Sequence, residues 1–530
     1  MKFKLLMPAT LLVLNSFAQK DFPQEWKLEM PVEARWKMIN EDRTLVLAGS
    51  LKEFAMLDAA AGKIMWKMNF KEKFAKKAAN DWEWDKEYNV VRVSFKGENK
   101  NEVVDQFIDG TTGNVIDKSV YEKKKNETKH QMEWFPSLKN RVVSKTSLQY
   151  EGNNLSVDYE KKAATGAARP KKTTATVYCK GANNWEQKLD IKVVRNLCSG
   201  FGGSGEELFG GDFLDIQVNG DKVFVLYEGI SVLDLKTGKI LWETSFDNSD
   251  FDFGIFKSVQ EVGRAAYPLA DKGNVYVVDL SKDFRCIKKL NIANGSVLWQ
   301  TDKVGGDDIV PAIVLSGNTL VAQFGGKIIK QSYIPGQSGK PDVCKSELKF
   351  IDDNGLKAYD AGTGKLIWQT FDRKDLNDKF SSLITNVIAE GSNIFVSSSK
   401  NVYCFDAATG KVVFSVPVEK LKIGRPDNIW MYGGNLLLEA EEGIASINKT
   451  NGAVNYATDT KKCLSTFSVG KAFFVWTGKN PEEFNTFIRL DLESGAILGK
   501  MGDTYHPYFT QDGEHFVKFN SEVIERFSTK

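Results

Sequence analysis

The stretch Leu233-Asp234-Leu235-Lys236-Thr237-Gly238-Lys239-Ile240-Leu241-Trp242 decides the fold. The alternating run Ile230 to Leu233 before the Asp reads as a β-strand. The Asp side chain can accept from backbone N–H groups two residues on and start a turn. Gly238 supplies the positive φ that a short hairpin loop needs near its end. Beyond it, Ile240 and Trp242 fall on one face, because strand side chains alternate. The stretch is therefore a β-hairpin whose large aromatic covers the packing between sheets.

The same frame recurs. It is repeated at Asp360/Gly364/Trp368, Asp58/Gly62/Trp66, Asn291/Gly295/Trp299 and Asp406/Gly410/Phe414. Copies with a changed last residue stand at Asp109/Gly113/Asp117, Asn448/Gly452/Tyr456 and Asp491/Gly495/Gly499. Successive Asp/Asn positions lie 51, 125, 57, 69, 46, 42 and 43 residues apart. A four-stranded propeller blade takes roughly 40–50 residues plus insertions. The 125-residue gap leaves room for a degenerate blade, and Gly181 followed by Trp185 keeps the spacing there. Glu514 to Phe519 and Glu522 to Phe527 read as late strands. Glu25 to Leu28 reads as a strand able to complete the last blade and close the ring. The expected fold is all-β: a propeller of four-stranded antiparallel blades, eight by the motifs and up to ten if Trp185 and the closing strand are counted. An open solenoid is the alternative arrangement of the same repeats.

Composition bounds the function. The chain has 530 residues, 42% hydrophobic and 12% aromatic, with 13 prolines, which suits a strand-rich globular protein. The formal charge is +2, and Lys2 and Lys4 belong to an expected signal peptide over 1–18. Leu5 to Leu14 is its apolar stretch of about ten residues, and Ser16-Phe17-Ala18 its cleavage site. The mature chain, 19–530, is then near neutral, which argues against a nucleic-acid partner. No Cys stands at the cleavage point, so the expectation is a periplasmic or extracellular protein without a lipid anchor or a membrane span. The cysteines at 179, 198, 286, 344, 404 and 463 include no C-x-x-C pair, and six allow 15 connectivities. A buried thiol is the expectation for most of them, Cys404 above all.

The run Asp-x-x-Thr-Gly-Lys-x-x-Trp at Asp234–Trp242 resembles the repeat of the pyrroloquinoline-quinone (PQQ)-like, quinoprotein alcohol dehydrogenase-like propellers. The resemblance extends from about Trp26 to Phe527. One branch of that superfamily holds PQQ- and calcium-dependent dehydrogenases; another holds binding propellers of the BamB type, scaffolds of outer-membrane barrel assembly. The enzymatic branch implies a vicinal Cys-Cys disulfide over the quinone, and this chain has no adjacent cysteines. It also implies Ca²⁺ held by carboxylate and amide oxygens; no such ligand set can be placed on this sequence. The resemblance favours the non-enzymatic branch: an exported, monomeric interaction scaffold with no cofactor, whose partner is a cell-envelope protein or a surface polymer. A PQQ/calcium dehydrogenase and a glycan- or polymer-binding propeller are the alternatives.

Other motifs are weaker. Gly200-Phe-Gly202-Gly203-Ser-Gly205 matches G-x-G-x-x-G, but Gly210-Gly211 follows and no βαβ pattern surrounds it, so it reads as a loop. His130, His506 and His515 show no His-x-x-x-His spacing; the last two could meet across strands. Lys161, Lys162, Arg169, Lys171 and Lys172, with Lys123 to Lys125 upstream, make a basic stretch. It reads as a solvated loop or as a contact arm for an acidic partner. Loop insertions are expected near 120–172, 199–212 and 333–345, where a rigid scaffold would position recognition residues.

Overall fold

In the computed structural model all eight Asp/Asn–Gly frames are turns joining the last two strands of an antiparallel sheet, four-stranded in seven cases and six-stranded at Asp360. The turn chemistry is visible at Asp234. Its Oδ1 accepts from the N–H of Lys236 (3.1 Å) and Thr237 (2.8 Å) and from Thr237 Oγ1 (2.7 Å). Gly238 N–H then donates to Asp234 O at 2.8 Å. The eight turn glycines share φ between +65° and +73°.

The structure describes residues 21–530 apart from 41–42, 87, 100–101, 128–146, 160–172, 192–214, 228, 247–249, 254–257, 272, 306–307, 335–342, 377–384, 479–485, 503–506 and 520–522. Among the described residues there are ten sheets. In chain order, sheet I runs from Trp36 to Asn69, II from Asp81 to Ile116, III from Ser147 to Ile191, IV from Asp215 to Ser245 and V from Leu269 to Gln300. Sheet VI runs from Ala312 to Gln369, VII from Ile388 to Pro417, VIII from Pro426 to Asp459, IX from Ser465 to Met501, and X from Tyr508 to Ser528. The fold is that of a multi-blade β-propeller, and its sheet count is the upper figure of the sequence expectation. Sheet III supplies one of the two blades beyond the eight motifs. Sheet X is the other, and the strand Gln24–Glu29 completes it by pairing with Val523–Ser528.

The chain divides into two compact units. One holds residues 1–135 and 463–530, hence sheets I, II, IX and X. The other, 136–462, holds sheets III to VIII. Within each unit the core lies between facing sheets. Phe224, Leu226, Ile230 and Val232 of sheet IV, for example, pack with Val275, Val277 and Leu290 of sheet V. Each such side chain contributes roughly 1.5–3 kcal/mol by leaving water.

Two local details depart from the sequence reading. In seven sheets the ladder shifts just before the aromatic position, as where Val232 faces Trp242 but Leu233 faces Ile240. The residue skipped is a β-bulge. Leu241 is thereby turned out, 40% exposed, while Trp242 is buried. The second detail concerns the turn glycines. Read as residues of a hairpin loop, they would face water, but Gly238, Gly410 and Gly495 are buried. Gly495 has the turn geometry of the others, with φ +73° and its N–H donating to Asp491 O at 2.8 Å. A turn residue without a Cβ lets the end of a hairpin lie inside the packing: a Cβ on Gly238 or Gly410 would meet an indole at 2.5 or 2.6 Å, so there glycine answers to closeness as well as to backbone angle.

The expected loop over 333–345 is strand at both flanks. Tyr333 pairs with Cys344 and Ile334 with Val343, closing a hairpin of Thr319–Ile334 and Val343–Asp360. Its inner part forms the middle strands of sheet VI. Past the irregularity at Phe324/Gly326 it continues for about 30 Å and pairs with Ser258–Val262, which pairs with Asp250–Phe253. The segment near 120 is likewise ordered: a helix spans Lys118–Glu127, with Asp117 Oδ1 accepting from Ser119 N–H at 2.8 Å.

Candidate interaction surface

The repeat tryptophans join neighbouring sheets. Trp242 lies over Gly295 of the next sheet, so that a Cβ there would come within 2.7 Å of the indole. Its Nε1 donates to Ile292 O at 2.8 Å. Trp299 does the same over Gly364 with Ala361 O (3.0 Å), and Trp368 over Gly410 with Ala407 O (2.7 Å). Trp66 lies over Gly113 and bonds Gly110 O at 2.7 Å. Trp185, from the degenerate frame, lies over Gly238 and bonds Leu235 O at 2.9 Å. Phe414 covers Gly452 without a donor. Tyr456 is half-buried on the outer strand of sheet VIII. The turn residues of these seams are thus docking points between blades, and the tryptophan faces are already covered. Gly495, in the last of the eight frames, is a buried turn residue of sheet IX.

Gly499 occupies an aromatic position of the repeat, and the space is filled from elsewhere. Phe22, buried, packs where a Cβ on Gly499 would come within 2.5 Å of its ring. It stacks on Phe487 at 5.5 Å and meets Phe516 edge-on at 5.6 Å. No sequence signal marks Phe22, because its partner is a missing side chain.

Antiparallel order puts the first-to-second and third-to-fourth turns at one end of each sheet. The second-to-third connections, and the links to the next sheet, leave from the other end. By chain order, the expected insertions fall on these second-to-third connections and between-sheet links. Residues 160–172 join the middle strands of sheet III, and 335–342 those of sheet VI. Residues 192–214 link sheet III to IV, and the helix Lys118–Glu127 begins the link that leaves sheet II. Lys161, Lys162, Arg169, Lys171 and Lys172, the glycine string at 200–205, His130, His506 and Cys198 lie outside the described residues.

Several described charged side chains at this end are paired or bonded to backbone. Between the middle strands of sheet V, Lys288 Nζ meets Asp279 Oδ2 at 2.7 Å, both buried, and lies 3.7 Å from the centroid of Phe284. Phe284 itself is 51% exposed. Arg285 donates to the carbonyls of Gly305 (3.0 and 2.5 Å) and Asp308 (2.9 Å), tying down the link to sheet VI. Lys349 on the long hairpin bonds Glu261 at 2.7 Å, and Lys327 pairs with Asp427. Val343 and Phe350, also on the hairpin, are 40% and 49% exposed. This is a rigid base carrying exposed apolar tips, an arrangement suited to gripping another chain.

Chemistry of other kinds has less to stand on. Asp512, Glu514 and His515 approach one another within 4.8 Å. Asp512 accepts from Thr510 Oγ1 (2.6 Å) and Glu514 N–H (2.9 Å), Glu514 pairs with Lys530 (2.6 Å), and His515 Nε2 meets Glu25 (3.1 Å). Their donor atoms serve sheet X. Cys179, Cys286 and Cys404 are buried free thiols, and Cys463 is half-buried. Burial pushes the Cys404 thiol up to about 12, so it stays protonated. No helix among the described residues is long and apolar enough to cross a membrane.

A family model described as outer membrane protein assembly factor BamB matches residues 172–338 and 352–483, more than half of the chain. The outer membrane protein assembly factor BamB of Yersinia pestis is 34% identical over 116 residues, 20% of this chain and 28% of that protein. The match thus spans less than a third of that relative's length. The crystal structure of BamB from Moraxella catarrhalis aligns with 70% of this chain and 98% of its own, at 12% identity and a TM-score of 0.34. At that score the likeness adds nothing to the fold assignment.

Proposed function

The chain belongs to the family of outer membrane protein assembly factor BamB, PQQ-like β-propellers, and we propose that it is an exported scaffold that holds other envelope proteins during assembly of the outer membrane. The family match over 172–338 and 352–483 carries this reading. It covers most of sheets III to VIII, the unit from which the long hairpin and the basic insertion emerge. The binding surface is the end of the sheets opposite the glycine turns. There the recognition elements are the exposed Phe284, the hairpin with Val343 and Phe350, and the insertion bearing Lys161, Lys162, Arg169, Lys171 and Lys172. The protein works in the periplasm, as a monomer, without a cofactor.

Site-specific photocrosslinking in the producing cell tests this. A crosslinker at Phe284 or Phe350 should capture an envelope protein of the barrel-assembly kind. One at Lys236, in a glycine turn, should not. Capture from the turn alone would move the surface to the other end. Saturable PQQ and Ca²⁺ binding with turnover of an alcohol or sugar would replace the scaffold reading altogether.

A further inference from the structure

Five repeat tryptophans donate their indole N–H to one equivalent atom, the carbonyl of the residue after the turn Asp or Asn. Trp26 occupies the same position between sheets X and I. Its ring covers Gly62, where a Cβ would come within 2.7 Å of the indole. The equivalent acceptor is Ala59 O, next to Asp58. That carbonyl accepts instead from Arg526 Nη1 at 3.1 Å, and Trp26 Nε1 is buried with no hydrogen-bond partner.

Arg526 is held in this place. It stands opposite Trp26 in the ladder, and its Nε donates to Glu25 Oε2 at 2.7 Å. Glu25 Oε1 in turn meets His515 Nε2 at 3.1 Å. The arginine thus takes the acceptor that an indole uses at the other seams. A buried donor left unmade favours any state in which water reaches it. The indole donors of Trp66, Trp185, Trp242, Trp299 and Trp368 are all made. The one further buried indole N–H without a partner among the described residues is that of Trp36, which stacks on Trp82 between sheets I and II. Only the seams of Trp185, Trp242, Trp299 and Trp368 are therefore free of this bias.

We propose that the seam between sheets X and I is a built-in opening point, at which Trp26 and the 58–62 turn separate while the Trp185, Trp242, Trp299 and Trp368 seams stay closed. The opening is local. Phe22 stays anchored against Gly499, and the strand Trp36–Ile39 holds the chain on the far side. It uncovers Leu57 and Ile524, which are buried across this seam at 2% and 1% exposure.

Native-state hydrogen exchange of the full chain tests the inference. The amide of Gly62, bonded to Asp58 O at 2.9 Å, is expected to exchange about tenfold faster than those of Gly238, Gly295 and Gly364, which make the same turn bond. Trp26→Phe keeps a ring on Gly62 and deletes the unmade donor, so it should slow exchange over 24–29 and 58–63. Trp66→Phe deletes a made bond and should speed exchange over 109–114. Equal protection of the four glycine amides would overturn the proposal. So would a Trp26→Phe variant that speeds exchange as Trp66→Phe does, since simple fraying of an outer strand has no reason to respond in the opposite direction.

Discussion

A single backbone angle and a single neighbour separate one glycine of this chain from another. Gly364 and Gly391 both have positive φ, +73° and +57°. A Cβ on Gly364 meets the Trp299 ring at 2.6 Å, whereas one on Gly391 meets nothing within 4 Å. Gly391→Ala therefore carries only the left-handed backbone cost, about 1–2 kcal/mol. Gly364→Ala adds the displacement of a packed indole, for a total of about 2–5 kcal/mol. Denaturant titration of the two variants checks this; equal losses would mean that the indole contact is not what requires glycine. The turn carboxylates make a second prediction. Bonds from Thr237 and Thr363 hold the Asp234 and Asp360 carboxyls below the usual range, and the Glu493 N–H does so for Asp491. A carboxyl whose pKa is depressed on folding adds stability above its unfolded value, and that stability is lost as pH falls through the folded value. The chain should lose stability on acidification below the ordinary carboxylate range. An Asp234→Asn, Asp360→Asn, Asp491→Asn variant should show a flatter acid limb, since Asn291 and Asn448 already make the turn without a charge. An unchanged limb would place the acid sensitivity elsewhere.

Strands and hairpins record how far the sequence could be read. The glycine frames were legible because turn geometry demands specific residues at fixed spacing, and the closing strand at Glu25 to Leu28 because it alternates. The burial of Gly238, Gly410 and Gly495 was not, since spacing reports a turn and says nothing of what lies against it. The bulges at Leu241, Leu298 and Ile367 were hidden too, because a bulge exists only in the register between two strands. The hairpin flanks at Tyr333 and Val343 were masked by the Pro-Gly-Gln-Ser-Gly run between them, which carries loop chemistry whatever adjoins it. The candidate surface was legible only as insertions; that they leave one end of the sheets follows from strand order. Nor did spacing reveal the pairing of Lys288 with Asp279 across the middle strands of sheet V, since both are ordinary surface residue types. Buried ions of this kind penalise removal of one partner more than removal of both. Lys288→Met should cost about 3–5 kcal/mol by leaving Asp279 buried and uncompensated, and adding Asp279→Leu should recover much of it. Thermal unfolding of the single and double variants measures the difference. A double variant as unstable as the single would show that Phe284 and Cys286, packed beside the pair, need the charges for their own placement.

Across the larger unit, sheets III to VII form a chain of neighbours in which a repeat tryptophan of each sheet reaches onto the sheet that follows. Trp185, Trp242, Trp299 and Trp368 link III to IV, IV to V, V to VI and VI to VII. Stability in such an array approximates a sum of sheet terms and nearest-neighbour seams. Replacing one of these tryptophans by Phe deletes one buried bond and should cost about 1–2 kcal/mol. Trp242→Phe and Trp368→Phe act on seams that share no sheet, so their effects should add within about 0.5 kcal/mol. Trp242→Phe and Trp299→Phe both act on sheet V, whose strands answer to two seams at once, and their sum should deviate by more. Denaturation of the singles and both doubles, followed by far-ultraviolet circular dichroism, separates the cases. If the distant pair deviates as much as the adjacent pair, the seams are not independent, and stability must be shared through the inner strands rather than passed along the tryptophan line. That outcome would also change how the candidate surface is pictured. The connections beyond sheets III and VI would then sit on one indivisible support, and a partner bound at the long hairpin would stiffen sheet III as much as sheet VI.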